Sequence, residues 1–253
     1  MLPLASLAFV GGIITGSFVG VVADRVPRGL SIVGPRSLCD SCGTTIAAYD
    51  NVPVLSWLFL RGRCRSCGER ISARYPLSEL AVGAAFAATA AVLWDEPAQL
   101  ALGLVFVAVL ATVSLTDLER HLIPNAILAV GAVIGVGIIV ATDPASLPER
   151  AISAAAAGGF LLIFALAYPR GMGMGDVKLA AVMGIFLGRD VAPALLVAIA
   201  AGAVVGLALI ALHGGEARKR ALPFGPFLAL GGVTALLAGE QILDAYMSAF
   251  GGG

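Results

Sequence analysis

The chain has 253 residues, of which 59% are hydrophobic and only 13% are charged, and its Lys and Arg residues balance its Asp and Glu residues. A typical soluble domain carries about 25% charged residues, so this composition indicates an integral membrane protein and excludes an ordinary soluble domain. No basic patch interleaved with aromatic residues occurs, so the sequence predicts no nucleic-acid partner.

Long apolar segments predict an all-α polytopic membrane protein with about eight transmembrane helices. Most segments are close to the ~20 residues that span a bilayer. They cover residues 4–23, 77–94, 98–116, 124–142, 151–168, 177–188, 191–212 and 224–248. The sixth segment is short and follows a glycine-rich stretch, so residues 171–176 are predicted to be irregular backbone or the unwound start of that helix.

The cations predict the orientation of the chain, because short cytoplasmic loops retain Lys and Arg. If residues 24–76 are cytoplasmic, fourteen of the sixteen Lys and Arg residues lie on that side. Only Arg150 and Arg189 then lie outside, together with both termini. Arg25 and Arg28 follow the first apolar segment rather than precede it, which favours a retained helix over a cleaved signal peptide.

The sequence predicts three parts: a first transmembrane helix at residues 1–23, a cytoplasmic module at residues 24–76 and a helical membrane core at residues 77–253. The module contains two C-x-x-C pairs, each followed by glycine, formed by Cys39, Cys42, Cys64 and Cys67. This pattern predicts a four-thiolate zinc site with no open coordination position, and therefore a structural role for the metal. The alternative is four free or disulfide-bonded cysteines, and a reducing cytoplasm disfavours the disulfides.

Two acidic residues, Asp117 and Asp176, lie at the ends of predicted crossings that reach the same cytoplasmic face. Two carboxylates in a partly desolvated site share one proton, so that one acts as base and the other as acid, as aspartic peptide hydrolysis requires. Gly173 and Gly175 would let a substrate backbone approach closely. Lys178 is predicted either to pair with Asp176 or to meet lipid headgroups.

Each aspartate also has a structural interpretation. Thr116 and Glu119 have the T-x-x-E spacing of a capping box, which would place Asp117 in the first turn of a helix. Asp176 would be a helix N-cap after a glycine turn. The two histidines, His121 and His213, are predicted to be solvated.

Several motifs match one known family. They are Gly16-Ser17-Phe18 through Arg25-Val26-Pro27; the two cysteine pairs around a core running from Tyr49-Asp50-Asn51 through Leu55-Ser56-Trp57-Leu58 and Arg74-Tyr75-Pro76 to Glu79-Leu80; Asp117 with Ile123-Pro124; and Gly173 through Leu179. Together they resemble the bacterial type IV prepilin peptidases, or leader peptidase/N-methyltransferases. The G-x-G-D stretch resembles the wider class of intramembrane aspartyl proteases.

The resemblance implies that Asp117 and Asp176 form a catalytic dyad. This dyad would cleave the basic leader of type IV prepilins or type II secretion pseudopilins after glycine, at the cytoplasmic side of the bacterial inner membrane. The resemblance also implies that the cysteines bind zinc and that S-adenosylmethionine supplies a methyl group to the new N-terminus. The expected partners are these substrates and the lipid bilayer. The sequence contains no strand followed by a G-x-G-x-x-G pattern, and it therefore does not predict a Rossmann-type site for the methyl donor.

Two other classes stay open from the residues alone. A secondary transporter would use Asp117 and Asp176 as an ion or proton site, which should lie near the bilayer midplane rather than at the inner edge. A membrane thiol oxidoreductase would use the cysteine pairs in an oxidising compartment, which the distribution of the cations opposes.

Overall fold

The computed structural model describes residues 2–168, 171–214 and 222–250, and the regular elements in these ranges are helices. The chain divides into two compact units, Met1–Ala91 and Val92–Gly253. The boundaries drawn from sequence at residues 23 and 76 both fall inside the first unit and stay a prediction.

The first unit contains two long helices, α1 (Leu2–Arg25) and α3 (Arg74–Val92), and one short helix, α2 (Leu55–Phe59), in the segment between them. Small residues bring the long helices together, since a Cβ added at Gly12 would lie 2.8 Å from the Cα of Gly83. Close backbone approach at glycine is a common way for membrane helices to associate, because lipid supplies no hydrophobic drive between them.

In the described part of the second unit there are six long helices. They are α4 (Pro97–Arg120), α5 (Asn125–Thr142), α6 (Leu147–Ala167), α7 (Met174–Leu187), α8 (Val191–His213) and α9 (Gly225–Phe250). Fully buried side chains from α4, α7 and α9, including Phe106, Met183 and Leu228, form the centre of its core. Phe106 stacks on Phe186 with ring centroids 4.9 Å apart. This packing positions the ends of α4, α7 and α9, where the polar side chains of the candidate site lie.

The prediction of an all-α polytopic membrane protein is confirmed. Among the described residues, seven stretches are long and apolar enough to cross a membrane. The longest, Met174–His213, contains both α7 and α8, which are joined by the single turn Gly188–Asp190. The eight apolar segments predicted from the sequence correspond to α1 and to α3 through α9.

The start of α7 differs in part from its prediction. Residues 171–173 precede the helix, but residues 174–176 are helical. The helix starts earlier than expected because the carboxylate of Asp176 accepts a hydrogen bond from the backbone N–H of Gly173 and thereby closes the first turn. Four cations used to predict the orientation, Arg170, Arg218, Lys219 and Arg220, lie outside the described residues, and the orientation stays a prediction.

Candidate active site and metal centre

Asp117 lies in the last turn of α4 and is only 6% exposed. Its Oδ2 accepts a hydrogen bond of 2.8 Å from the backbone N–H of Gly225, the first residue of α9. The N-terminal end of a helix carries unpaired N–H groups and a partial positive charge, which favour a carboxylate beside it. The start of α9 therefore both orients the Asp117 side chain and stabilises its charge.

The capping-box interpretation of Asp117 is wrong. Thr116 lies near the end of α4 rather than at the start of a helix, and its hydroxyl donates to the carbonyls of Thr112 and Val113. His121 ends α4 in the left-handed conformation, and its N–H donates to the carbonyl of Asp117 at 2.9 Å. The His121 and His213 side chains are both exposed.

Asp176 is the third residue of α7 and is 8% exposed. Its Oδ2 accepts the N–H of Gly173 at 3.1 Å, and its own N–H donates to the carbonyl of Gly173, also at 3.1 Å. Gly173 is therefore the N-cap, and the interpretation of Asp176 as an N-cap is wrong by three positions. Asp176 lies close enough to Asp117 for the two like charges to repel each other. The structure thus brings two buried carboxylates together at the ends of α4 and α7.

The remaining predicted site residues have structural contacts. A Cβ added at Gly175 would lie 2.9 Å from the Cβ of Ile123, so this glycine lets the connection between α4 and α5 pack against the start of α7. A Cβ at Gly173 would lie 3.4 Å from Oδ2 of Asp176. Lys178 Nζ donates to Oδ1 of Asn125 at 2.9 Å, a partner that neither sequence-based prediction named.

Gly225 is a site residue that the sequence analysis missed. The only local signal is the Gly-Pro pair that opens α9, which is typical of a helix start. That signal indicates where the helix begins but carries no information about Asp117, which lies 108 residues earlier in the chain.

The predicted catalytic role of Asp117 implies that the substitution Gly225→Ala lowers activity. The added Cβ would lie 2.8 Å from Oδ2 and 3.1 Å from Cβ of Asp117, so the carboxylate must move. Misplacement of a catalytic group by about 1 Å costs roughly 10²-fold in rate. The check is the activity predicted from the sequence, measured for the purified variant beside Gly137→Ala, whose added Cβ would meet nothing within 4 Å. Equal activity of the two variants would contradict a positioning role for Gly225.

The four cysteines form the second candidate site. The ligand atoms of Cys39, Cys42, Cys64 and Cys67 all lie within 4.8 Å of one another. Each pair makes the same tight turn, in which the glycine after the second cysteine donates its N–H to the carbonyl of the first: Gly43 to Cys39 at 2.8 Å and Gly68 to Cys64 at 2.9 Å. Both glycines have positive φ, 67° and 73°, which side chains disfavour. This arrangement can hold one metal ion with four sulfur ligands.

Contacts around the second cysteine turn connect it to the segment before α2. The guanidinium of Arg65 forms a two-point ion pair with Asp50, with Nε–Oδ2 and Nη2–Oδ1 distances of 2.8 and 2.6 Å, and lies 5.4 Å from the ring centroid of Tyr49. The hydrogen bond from Arg65 holds the pKa of Asp50 below its usual value. The second cysteine turn is therefore part of a larger folded segment rather than an isolated loop.

The fold and the two sites together define a polytopic helical membrane protein with a buried carboxylate pair and a four-cysteine centre. Residues 10–93 match the bacterial peptidase A24 N-terminal domain, and residues 104–210 match the type IV leader peptidase family. The cysteines fall within the first match and both aspartates within the second.

Similar proteins named prepilin leader peptidase/N-methyltransferase occur in several bacteria. The protein from Bacillus subtilis (strain 168) is 37% identical, and the match covers 96% of this chain and 98% of that one. The protein from Aeromonas hydrophila is 35% identical, with 97% and 94% covered. That from Burkholderia pseudomallei (strain K96243) is 36% identical, with 92% and 85% covered. The chain belongs to the type IV leader peptidase family. No solved structure matches it significantly.

Proposed function

We propose that this protein is a membrane aspartic endopeptidase that removes the leader of type IV prepilins or pseudopilins after a glycine, and then methylates the new N-terminal residue. One observation carries the peptidase assignment. Asp117 and Asp176 are both buried, are close enough for their charges to interact, and both lie in the segment that matches the peptidase family. Membership of the family and the names of its relatives support the substrate class.

The chemistry follows from the geometry of the pair. One carboxylate, as base, takes a proton from water while the water oxygen adds to the carbonyl carbon of the scissile bond. The other, protonated, donates a hydrogen bond to the carbonyl oxygen and then protonates the leaving nitrogen as the C–N bond breaks. The hydrogen bonds from Gly225 and Gly173 hold the two carboxylates in place for this exchange. We assign Asp117 and Asp176 to the pair without dividing the roles, because coupled groups titrate together.

Three further residues are proposed to line the substrate path at the start of α7. Gly173 and Gly175 present backbone without side chains beside Asp176, and Lys178 lies two residues beyond it. Since Lys178 is bonded to Asn125, its proposed contribution is to hold the starts of α7 and α5 together.

The position of the pair along the helices supports cleavage at a membrane surface. Asp117 is three residues from the end of α4, and Asp176 is two residues from the start of α7. At 1.5 Å per residue both lie within about 5 Å of a helix end. A substrate whose apolar helix remains in the bilayer presents its junction at this level. With the orientation predicted from the cations, the surface is the cytoplasmic side of the bacterial inner membrane.

The same position argues against the transporter alternative. Ion and substrate sites of secondary transporters lie near the bilayer midplane, where broken helices supply backbone ligands. A carboxylate pair within one turn of two helix ends is better suited to a reaction with a group entering from the membrane surface.

The four-cysteine centre is proposed to bind zinc. Four thiolates in a tetrahedral arrangement match the preference of Zn²⁺ and leave no coordination position for substrate. The metal would then stabilise the fold of the segment between α1 and α3 and take no part in cleavage. Methyl transfer from S-adenosylmethionine is proposed from the family and the names of its relatives.

The test is incubation of the purified protein in lipid nanodiscs with a prepilin-like substrate that carries glycine before phenylalanine at the junction. Mass spectrometry should show cleavage after glycine, and addition of S-adenosylmethionine should add one methyl group to the new N-terminus. Cleavage without methylation would restrict the function to the peptidase. An intact substrate, with the protein folded and loaded with metal, would contradict the proposed function.

A further inference from the structure

Three large apolar side chains on α2 point away from the rest of the first unit. Leu55, Leu58 and Phe59 are 66%, 59% and 82% exposed. Their i, i+3, i+4 spacing places them on one face of the helix, hereafter the α2 apolar face. This face lies in the polar segment between two membrane helices, where clustered exposed apolar side chains indicate an interaction surface.

The orientation of α2 is determined by polar contacts on its other side. Ser56 is buried, and its hydroxyl donates to the carbonyl of Tyr49 at 2.9 Å. The indole Nε1 of Trp57 donates to the carbonyl of Ile71 at 3.0 Å. These two bonds attach the inner side of α2 to the folded segment and keep the α2 apolar face outward.

A hydrogen bond to α3 places α2 at a defined level of the membrane. The N–H of Val54, the residue before α2, donates to Oε2 of Glu79 at 2.7 Å, and Glu79 is only 8% exposed. Glu79 is the sixth residue of α3, which begins at Arg74 and is long and apolar enough to span a bilayer. Five residues of helix rise about 7.5 Å, and the headgroup layer on each side of a bilayer is roughly 5–8 Å thick. Val54 is therefore held about 7.5 Å from the polar end of α3, at the level of its first two turns.

The backbone at Val54 is strained. Val54 has φ 61° and ψ −53°, a conformation that is unfavourable for a β-branched residue. Such a residue persists only where its surroundings over-determine it. The bond to Glu79 is one of those constraints, so the start of α2 follows α3 rather than moving freely with the loop.

We propose that the α2 apolar face inserts into the interfacial layer of the lipid bilayer and anchors the metal-binding segment to the membrane surface. Lipid is the proposed partner of this face because Val54, at the start of α2, is bonded to Glu79, a residue inside a membrane helix. The exposed Arg61 and Arg63 follow the face directly and match the anionic headgroups found at that depth. The anchor is independent of the proposed peptidase activity.

The test uses the full chain in nanodiscs, labelled with 5-fluorotryptophan. The two native tryptophans, Trp57 and Trp94, give reference signals in the ¹⁹F spectrum. Phe59→Trp adds a signal on the α2 apolar face, and the matched control Asp40→Trp adds one at an exposed position between two cysteines. We expect a nitroxide-labelled phospholipid to broaden the added signal of Phe59→Trp several-fold more than that of Asp40→Trp, and a water-soluble gadolinium chelate to do the reverse.

Two results would overturn the anchor. Equal broadening of both added signals by the aqueous chelate would show that the face is in water. Protection of the Phe59→Trp signal from both agents would show that protein covers it, either a second copy or another chain. A second measurement needs no substitution: a diazirine-labelled phospholipid should form adducts on the peptide containing residues 55–59 and leave the peptide containing residues 37–46 unmodified. Absence of adducts at residues 55–59 would also contradict the proposal.

Discussion

Asp117→Asn and Asp176→Asn are each expected to lower kcat/KM for leader cleavage by about 10²–10⁴-fold, the range that general acid–base catalysis contributes. Asparagine has nearly the same shape as aspartate, and its amide oxygen can still accept the N–H of Gly225 or Gly173. The substitution therefore preserves the helix contacts and removes only the capacity to exchange a proton. The measurement is the rate of cleavage of a prepilin-like substrate in nanodiscs.

Asp190→Asn is the matched control for these variants. Asp190 lies in the single turn that follows α7, at the opposite end of that helix from Asp176. It is also a carboxylate near a membrane surface, and the proposed mechanism gives it no role. Its substitution should leave kcat/KM within about twofold of the unmodified protein, as is usual for a change without a named mechanism. A comparable loss in all three variants would indicate general destabilisation rather than catalysis by the pair.

Removal of one cysteine turn, by Cys64→Ser together with Cys67→Ser, is expected to abolish metal binding. The ligand atoms of the four cysteines lie within 4.8 Å of one another, and two remaining thiolates cannot complete a tetrahedral site. Because the free energy of binding a structural metal is also folding free energy, the segment between α1 and α3 should unfold locally. Trypsin should then cut this arginine-rich segment at least about tenfold faster, since local opening controls cleavage.

Metal content by mass spectrometry and the rate of proteolysis measure the two parts of this expectation. Ser66→Ala is the control, since Ser66 lies between Cys64 and Cys67 but supplies no ligand of the cluster. It should retain one metal ion per chain and resist trypsin as the unmodified protein does. Full metal content in the doubly substituted chain would show that the metal is bound elsewhere.

The helices were predictable because their signal is local. An apolar stretch of about 20 residues indicates a membrane helix wherever it occurs, and the predicted segments correspond to α1 and α3 through α9. The cysteine turns were predictable for the same reason, since two cysteines three positions apart and a following glycine specify a tight turn without distant contacts. The first turn of α7 was only partly predicted, because the bond between Asp176 and Gly173 competes with the tendency of glycines to unwind a helix.

Contacts between distant parts of the chain were not predictable. Gly225 bonds to Asp117 across 108 residues, and Lys178 bonds to Asn125 across 53. Neither pair has a spacing or composition that identifies it, because each depends on how α4, α5, α7 and α9 pack. The adjacency of Asp117 and Asp176 could be hypothesised, since both were assigned to one membrane face, but the hydrogen bonds that orient them required the folded structure.

The most direct test of the central claim is a double-mutant cycle on the carboxylate pair. If Asp117 and Asp176 act as one acid–base unit, the variant with both changed to asparagine will be about as active as the less active of the two single variants. The reason is that the effects of substituting residues that act together are strongly non-additive. Multiplication of the two single losses in the double variant would contradict the account, because it would mean that each carboxylate contributes to cleavage independently.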